Sequence, residues 1–459
     1  MSTAPFNPEM RLAPQAGVDL LPTEIQRPAD GLWEPMHGGY NSPEGRSLIE
    51  ARIDSIADSM RSMGINLSQD AVDKTKENMD RAYRQYADPE GLFEDGHAFT
   101  SPTRISSTDF TSIQEAYRPF PILSSIETAS ISKDEISQHL GLQISRMLEL
   151  CPPMVMENYV GTPGGIVFCP ITSQLGVDYG RREALAVARN IASDTASFAS
   201  RGGAKVLGLG ATLPSLTGYG KYIDSDGALA ITTGHAGTAV LVGKLIRKRV
   251  EENPDLSSNP ITVVGSGAMG SVLAEYVLST GRDVVAYDED PNSLSRLVKN
   301  LGADRVAPAM NLDSALASAN IVVSAVTKSI SLGNTGVDLS EKLVIDDSQP
   351  GAFAREEIEK LNGELTWVVG RAGFLSNVGG WSYADTIHSG DPMARDAVFG
   401  CEAESAVIAR VAREQSVDPR EFSVRGRSVT LHDILRMGRL FEEYGVDIAP
   451  SQSHGILNK

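Results

Sequence analysis

Cysteine is scarce in this chain. Its 459 residues include three, Cys151, Cys169 and Cys401, too far apart to form a disulfide framework or a CxxC metal pair, and no metal site is expected. Basic charge is also in deficit, with 41 Lys and Arg against 59 Asp and Glu and a net charge of −18. That balance excludes a general phosphate-backbone binder, so nucleic acid is not an expected partner. No run reaches the roughly 18 to 20 apolar residues that span a bilayer, so no transmembrane segment is expected. Met1 to Pro8 lacks the basic-then-apolar pattern of an export signal, and the chain reads as cytoplasmic. What remains is a multidomain globular composition, 41% hydrophobic, able to fill two or three cores.

Residues 1 to about 45 are rich in Pro and Gly without a hydrophobic period and read as an arm. Helical spacing predicts one helix over Ser47–Met63 and a more polar one over Asp70–Tyr86, followed by an irregular stretch to about Pro121. Residues 1–120 are therefore expected to be an N-terminal extension, partly disordered, with two short helices. From Lys133 onward, helix patterns alternate with short apolar strands at Pro153–Tyr159, Gly165–Cys169 and Ala204–Leu209, which predicts an α/β substrate domain over 121–250. Thr232 to Val250 reads as a helix ending in Lys244, Arg247, Lys248 and Arg249. These are either a solvated helix end or a docking patch for an acidic partner.

The most informative local pattern begins at Ile261. A four-residue apolar run is followed by Gly265, Gly267 and Gly270 in GxGxxG spacing, with Ser266, Ala268 and Met269 between them, and then a helix. Glycines in this context allow a tight turn, close backbone approach to a pyrophosphate and close packing of helix on strand. A second strand ends in Asp288, 18 residues beyond Gly270, where a carboxylate suits both ribose hydroxyls. Strands at Ile321–Val326 and Leu343–Asp346 continue the βαβ rhythm, bringing Ala325, Val326 and Thr327 to the cofactor edge. The fold class is thus α/β, a substrate domain followed by a Rossmann, doubly wound parallel sheet over 251–390. C-terminal helices over 391–459 are expected to pack on the substrate domain. The cofactor is NAD(P)H, with NADH favoured because Asp288 would repel a 2′-phosphate and no Arg immediately follows it. Gly370 to Asn377, with Arg371, Phe374 and Ser376, is expected beside the nicotinamide.

The residues alone leave the reacting group open. Cys401 falls about ten residues into a helix whose start is marked by Asp391 and Pro392, too far in for the helix dipole to lower its pKa, and Glu404 at i+3 would raise it. It reads as a nucleophile or as a small core cysteine. Thr232, Thr233 and His235 open a helix where hydroxyls and free amides could hold a carbonyl, or they form a capping turn. His388 belongs to the loop before the Cys401 helix.

Over about 151–449 the chain resembles the cyanobacterial long-chain acyl-(acyl-carrier-protein) reductases. The resemblance rests on Pro152-Pro153, Leu207–Ala211, Thr232-Thr233-Gly234 with Thr238-Ala239, Ala319–Val326, Leu343–Pro350, Phe399–Ser405 and Thr430–Gly445. It implies an NAD(P)H-dependent reduction of an acyl thioester, carried by a carrier protein or coenzyme A, to an aldehyde, with Cys401 as the acylated nucleophile. Cys151 and Cys169 match no catalytic position. The family favours NADPH and has a basic residue where this chain has Tyr287 and Asp288, and His235 replaces a different residue. An acidic carrier protein would need a basic face, for which Arg181, Arg182, Arg189 and the Lys244–Arg249 cluster are the candidates. Residues 1–120 could cap the substrate channel, bind a partner or mediate homo-oligomerisation. The competing readings are a cysteine-independent dehydrogenase of the shikimate or amino-acid type, and a nucleotide-sensing scaffold.

Overall fold

The computed structural model describes residues 43–102, 120–126, 129–149, 151–159, 162–171, 175–223, 227, 229–326, 329–333, 335–348, 351–375, 396–450, 452–453 and 456–457. Helices α1 (Pro43–Ser62) and α2 (Gln69–Ala87) are joined by a short turn. The Ser68 Oγ accepts from the Ala71 amide and caps α2. Ile49, Ile53, Ile56 and Met60 of α1 and Val72, Met79 and Tyr83 of α2 are buried with Ile136, Leu140 and Ile144 of α3 (Lys133–Glu149) in one core. These helices are therefore built into the first domain, and the expected boundary near residue 120 is corrected.

A second feature moves that boundary further. Strand β1 (His97–Pro102) lies in the stretch expected to be irregular, yet it is the middle strand of a five-stranded sheet of order β2-β3-β1-β4-β5. Its partners are β2 (Met154–Asn158), β3 (Gly164–Cys169), β4 (Val206–Leu209) and β5 (Ala230–Thr232). Pairing is parallel except between β2 and β3. Six residues containing His, Thr, Ser and Pro carry no legible period, and only pairing on both edges makes them a strand. Helix α4 (Leu175–Arg201) packs on β3.

Helix α5 (His235–Glu252) links this sheet to the next and is buried almost continuously from His235 to Ile246. A helix apolar on every side must be enclosed on every side. Here it contacts α6 (Ala268–Ser279) and, beyond the intervening α7 (Pro291–Leu301), α8 (Leu312–Ala317) and α9 (Arg355–Lys360), also α10 (Gly400–Gln415) and α11 (Leu431–Glu443).

The second sheet contains β6 (Ile261–Val264), β7 (Val284–Tyr287), β8 (Val306–Pro308), β9 (Ile321–Ser324), β10 (Leu343–Asp346) and β11 (Glu364–Trp367). All are parallel, in the order β11-β10-β9-β6-β7-β8. This is the doubly wound dinucleotide arrangement, whose direction reverses between β6 and β9 and leaves a crevice at the carboxyl ends of those strands.

A third, antiparallel sheet joins the C-terminal segment to the rest: β13 (Ala397–Phe399) and β14 (Val446–Ile448) flank β12 (Val369–Ala372). Because Ala397–Phe399 is committed to this pairing, α10 begins at Gly400. The start expected at Asp391 is corrected, although residues 391 and 392 themselves lie outside the described residues. Among the described residues, no helix is long and apolar enough to cross a membrane.

Candidate active site

Six chain segments meet at the switch between β6 and β9, one of them the turn after β4 with Ala211, Thr212 and Ser215. The glycine turn contributes Gly267, Ala268 and Met269, the end of β9 contributes Ala325 and Val326, and the end of β10 contributes Asp347 and Ser348. Thr233, His235 and Thr238 come from the start of α5, and Cys401 comes from the start of α10. They line a crevice that is open to solvent and holds about 190 Å³.

Its cofactor side follows from the glycines. Gly265 has φ +96° and a Cβ there would lie 2.5 Å from the Ala325 carbonyl oxygen, so only glycine fits. A Cβ at Gly270 would overlap the Gly265 carbonyl, whereas Gly267 faces open space. Helix α6 has Gly267 as its N-cap and no side-chain cap, leaving its first amides free for an anion. The turn is braced by Asp288, whose Oδ2 accepts from the Ser266 amide at 2.6 Å and from its Oγ at 2.8 Å. Its Oδ1 accepts from the Asp290 amide. These residues fit a dinucleotide, with the carboxylate at the ribose edge of the turn. Thr327 lies outside the described residues.

On the substrate side, the structure separates residues that are adjacent in sequence. Thr233 and His235 line the crevice, and among the described residues the buried Thr233 Oγ1 and His235 Nδ1 have no hydrogen-bond partner. Burial lowers the His235 pKa to about 4, so its imidazole is neutral near pH 7. Thr232 does not line the crevice, and its Oγ1 accepts from the Gly234 amide, so it belongs to the turn.

The amides at the start of α5 are likewise less available than expected. Glu404, 2% exposed, accepts from the Gly234 amide at 3.2 Å and the Gly237 amide at 2.6 Å. It caps the start of α5 and is supplied by another helix. Burial is the main cause that pushes its pKa up to about 7. The folded value lies above the ordinary 4.5, so the Glu404 contribution is complete below about pH 4.5 and is lost as pH rises through about 7. The difference is on the order of 3 kcal/mol. Glu404→Gln retains an acceptor but cannot ionise, and it should flatten this part of the stability–pH curve. Denaturant titrations at about pH 4.5 and about pH 8 measure the effect, and parallel wild-type and mutant curves would count against it.

Cys401 is the second residue of α10, inside the first helical turn, which corrects the expectation that it is beyond reach of the helix dipole. The amides of Glu402 and of Cys401 itself favour the thiolate, but burial and then the Asp347 and Glu404 carboxyls push the thiol well up. The resting group is therefore a largely buried thiol at the crevice wall. Cys151 and Cys169 are buried in the first core, where burial raises both thiols, Cys169 to about 12.

The two helix starts touch through small residues. Gly234 has φ +72° and a Cβ there would overlap that of Cys401, and Gly400 lies against the Thr238 backbone. This crossing sets Cys401 against the turn between Thr233 and His235, and the sequence carries no local sign of it. Segment 370–375 is not at the crevice. Arg371 pairs with Asp396 at 3.0 Å and lines a separate groove with Lys244, Arg247 and Lys248, while Phe374 lies under Arg410. Ser376, Asn377 and His388 lie outside the described residues.

The proposed basic face is largely committed elsewhere. Arg189 stacks on Tyr222 at 3.9 Å, Lys244 pairs with Asp447 and Arg249 with Glu364, leaving Arg247 and Lys248 exposed. The side chains of Arg181 and Arg182 are outside the described residues.

A sequence family described as NADP oxidoreductase, coenzyme F420-dependent, matches residues 260–350, the Rossmann unit. With the sheet order and glycine turn, this defines an NAD(P)-binding Rossmann domain. Among solved structures, the chain is similar to an imine reductase from Pseudomonas sp. at 20% identity and a TM-score of 0.20, over 24% of this chain and 40% of that one. It is similar to a malic enzyme (malate oxidoreductase) at 12% identity and a TM-score of 0.32, over 63% and 71%. A third is the nucleotide-binding domain of glutamyl-tRNA reductase from Thermoplasma volcanium, at 16% identity and a TM-score of 0.19, over 27% and 90%. The chain spans about two fifths of the imine reductases it matches. No protein of curated function matches it.

Proposed function

We propose that the protein reduces an acyl thioester, borne by an acyl carrier protein or coenzyme A, to an aldehyde through an acyl group held on Cys401. This reading follows the resemblance to the acyl-(acyl-carrier-protein) reductases. The observation that carries it is that Cys401 lines the same crevice as the glycine turn of the dinucleotide unit.

In the first half-reaction the Cys401 sulfur attacks the thioester carbon, the bond to the carrier sulfur breaks, and the thiol proton passes to the departing thiolate. Neutral His235, with an unpartnered Nδ1 in the crevice, can relay that proton. The unpartnered Thr233 Oγ1 can donate to the carbonyl oxygen. Bound NAD(P)H supplies the hydride for the second half-reaction. Gly265, Gly267, Gly270 and the first turn of α6 would hold its pyrophosphate, and Asp288 its ribose. Intact-mass measurement after incubation with an acyl thioester but no cofactor tests this reading, which predicts one acyl adduct on Cys401. An unmodified sulfur would favour a cysteine-independent dehydrogenase.

The same reading makes NADH the better cofactor, because a 2′-phosphate would meet the Asp288 carboxylate. Asp288→Asn retains an acceptor for Ser266 and removes the charge. It should raise the NADPH-to-NADH affinity ratio by about tenfold, the scale of one close charge contact. Fluorescence titration with each nucleotide measures the ratio, and an unchanged value would place the 2′-position away from Asp288.

A further inference from the structure

Among the described residues, the Asp347 carboxyl has no hydrogen-bond or ion-pair partner. It follows β10 directly, at the carboxyl edge of the Rossmann sheet, and its backbone is fixed because its amide donates to the Ser324 carbonyl at 2.9 Å. Its neighbours are committed to the loop. The Asp346 carboxyl is 1% exposed and accepts from the Ser348 amide at 3.0 Å and the Ala352 amide at 2.6 Å. Ser348 Oγ accepts from the Val326 amide. Asp347 instead lines the crevice with Cys401, His235 and Thr233.

Resting on the thioester reading above, we propose that Asp347 is the proton donor to the Cys401 sulfur when the aldehyde leaves. After hydride from NAD(P)H has added to the acyl carbon, the carbonyl reforms and the carbon–sulfur bond breaks, leaving its electron pair on the Cys401 sulfur. The Asp347 carboxyl then gives its proton to that sulfur, restoring the thiol, and regains one from water at the open mouth of the crevice.

The surroundings suit such a donor. Burial, with Asp346 alongside, raises the Asp347 carboxyl well above its ordinary range, which favours the protonated form that a donor needs. An ionised Asp347 would also raise the Cys401 thiol, the largest influence on it after burial, and both residues line the one crevice. The other titratable groups facing this pair are His235 on α5 and Glu404 behind Cys401 on α10.

The test uses the full-length protein with Asp347→Asn, which keeps the shape, and Asp347→Gly, which removes the group. Acylation of Cys401 without cofactor should stay within about threefold of wild type, whereas aldehyde release with NAD(P)H should fall by about 100-fold or more. The pH midpoint for alkylation of Cys401 by iodoacetamide should move down by about one unit in both variants, a readout that needs neither substrate nor cofactor. Unchanged aldehyde release, or an alkylation midpoint unmoved in both variants, would overturn the assignment. If wild-type Cys401 takes no acyl group, the thioester reading fails by itself, and the alkylation midpoint still decides whether Asp347 serves the sulfur.

Discussion

Cys401→Ala is expected to abolish acyl-adduct formation and to lower aldehyde production by on the order of 10⁴-fold or more, the scale on which a covalent nucleophile is lost. Nucleotide binding should stay within about threefold, because the glycine turn and Asp288 are braced by contacts that do not involve Cys401. The variant therefore separates chemistry from cofactor capture. Cys401→Ser should behave similarly in turnover, since a hydroxyl is far less acidic than a thiol and the crevice already penalises an anion at this position. Fluorescence titration with NADH, intact mass and aldehyde trapping together read the outcome. Full aldehyde production by the alanine variant would end the proposal that the acyl group is carried on sulfur.

The second large effect is expected at Gly234, which lies across from Cys401 at the helix crossing. Its φ of +72° costs a residue with a Cβ about 1–2 kcal/mol. That Cβ would also overlap the Cys401 Cβ and backbone, and overpacking of this kind adds about 1–3 kcal/mol. Gly234→Ala should therefore destabilise the protein by about 2–5 kcal/mol in denaturant titrations. Because the start of α10 must shift to make room, acylation of Cys401 should slow by about 100-fold, the usual cost of a displacement near 1 Å. Gly281→Ala is the control: its φ is +87° but nothing lies within 4 Å of the added Cβ. It should cost only the backbone strain and leave acylation unchanged. Equal effects at the two glycines would show that the contact with Cys401 contributes nothing.

The cofactor side was legible because its information is local. The buried run Ile261–Val264, the spacing of Gly265, Gly267 and Gly270, and Asp288 at the next strand end are each written in consecutive residues. The substrate side was not. β1 carries no period and exists as a strand only through β3 and β4. The Cys401 helix was expected from a Pro-marked start, but pairing of Ala397–Phe399 with β12 overrides that signal and moves the helix start to Gly400. Glu404 appeared only as an unfavourable neighbour of the thiol, whereas it caps α5. The Asp346-Asp347 doublet gave no indication that one carboxyl would hold a loop and the other face the crevice.

From its own order of residues, this chain determined the dinucleotide unit, because a strand, a turn and a helix start interact over a few residues wherever they are placed. Only tertiary structure decided that Cys401 lies in a first helical turn beside Thr233 and His235, that Thr232 turns away, and that Asp347 shares their crevice. Thr233 and His235 precede the Rossmann strands in sequence and Cys401 follows them, and the packing of glycine on glycine between α5 and α10 brings them together.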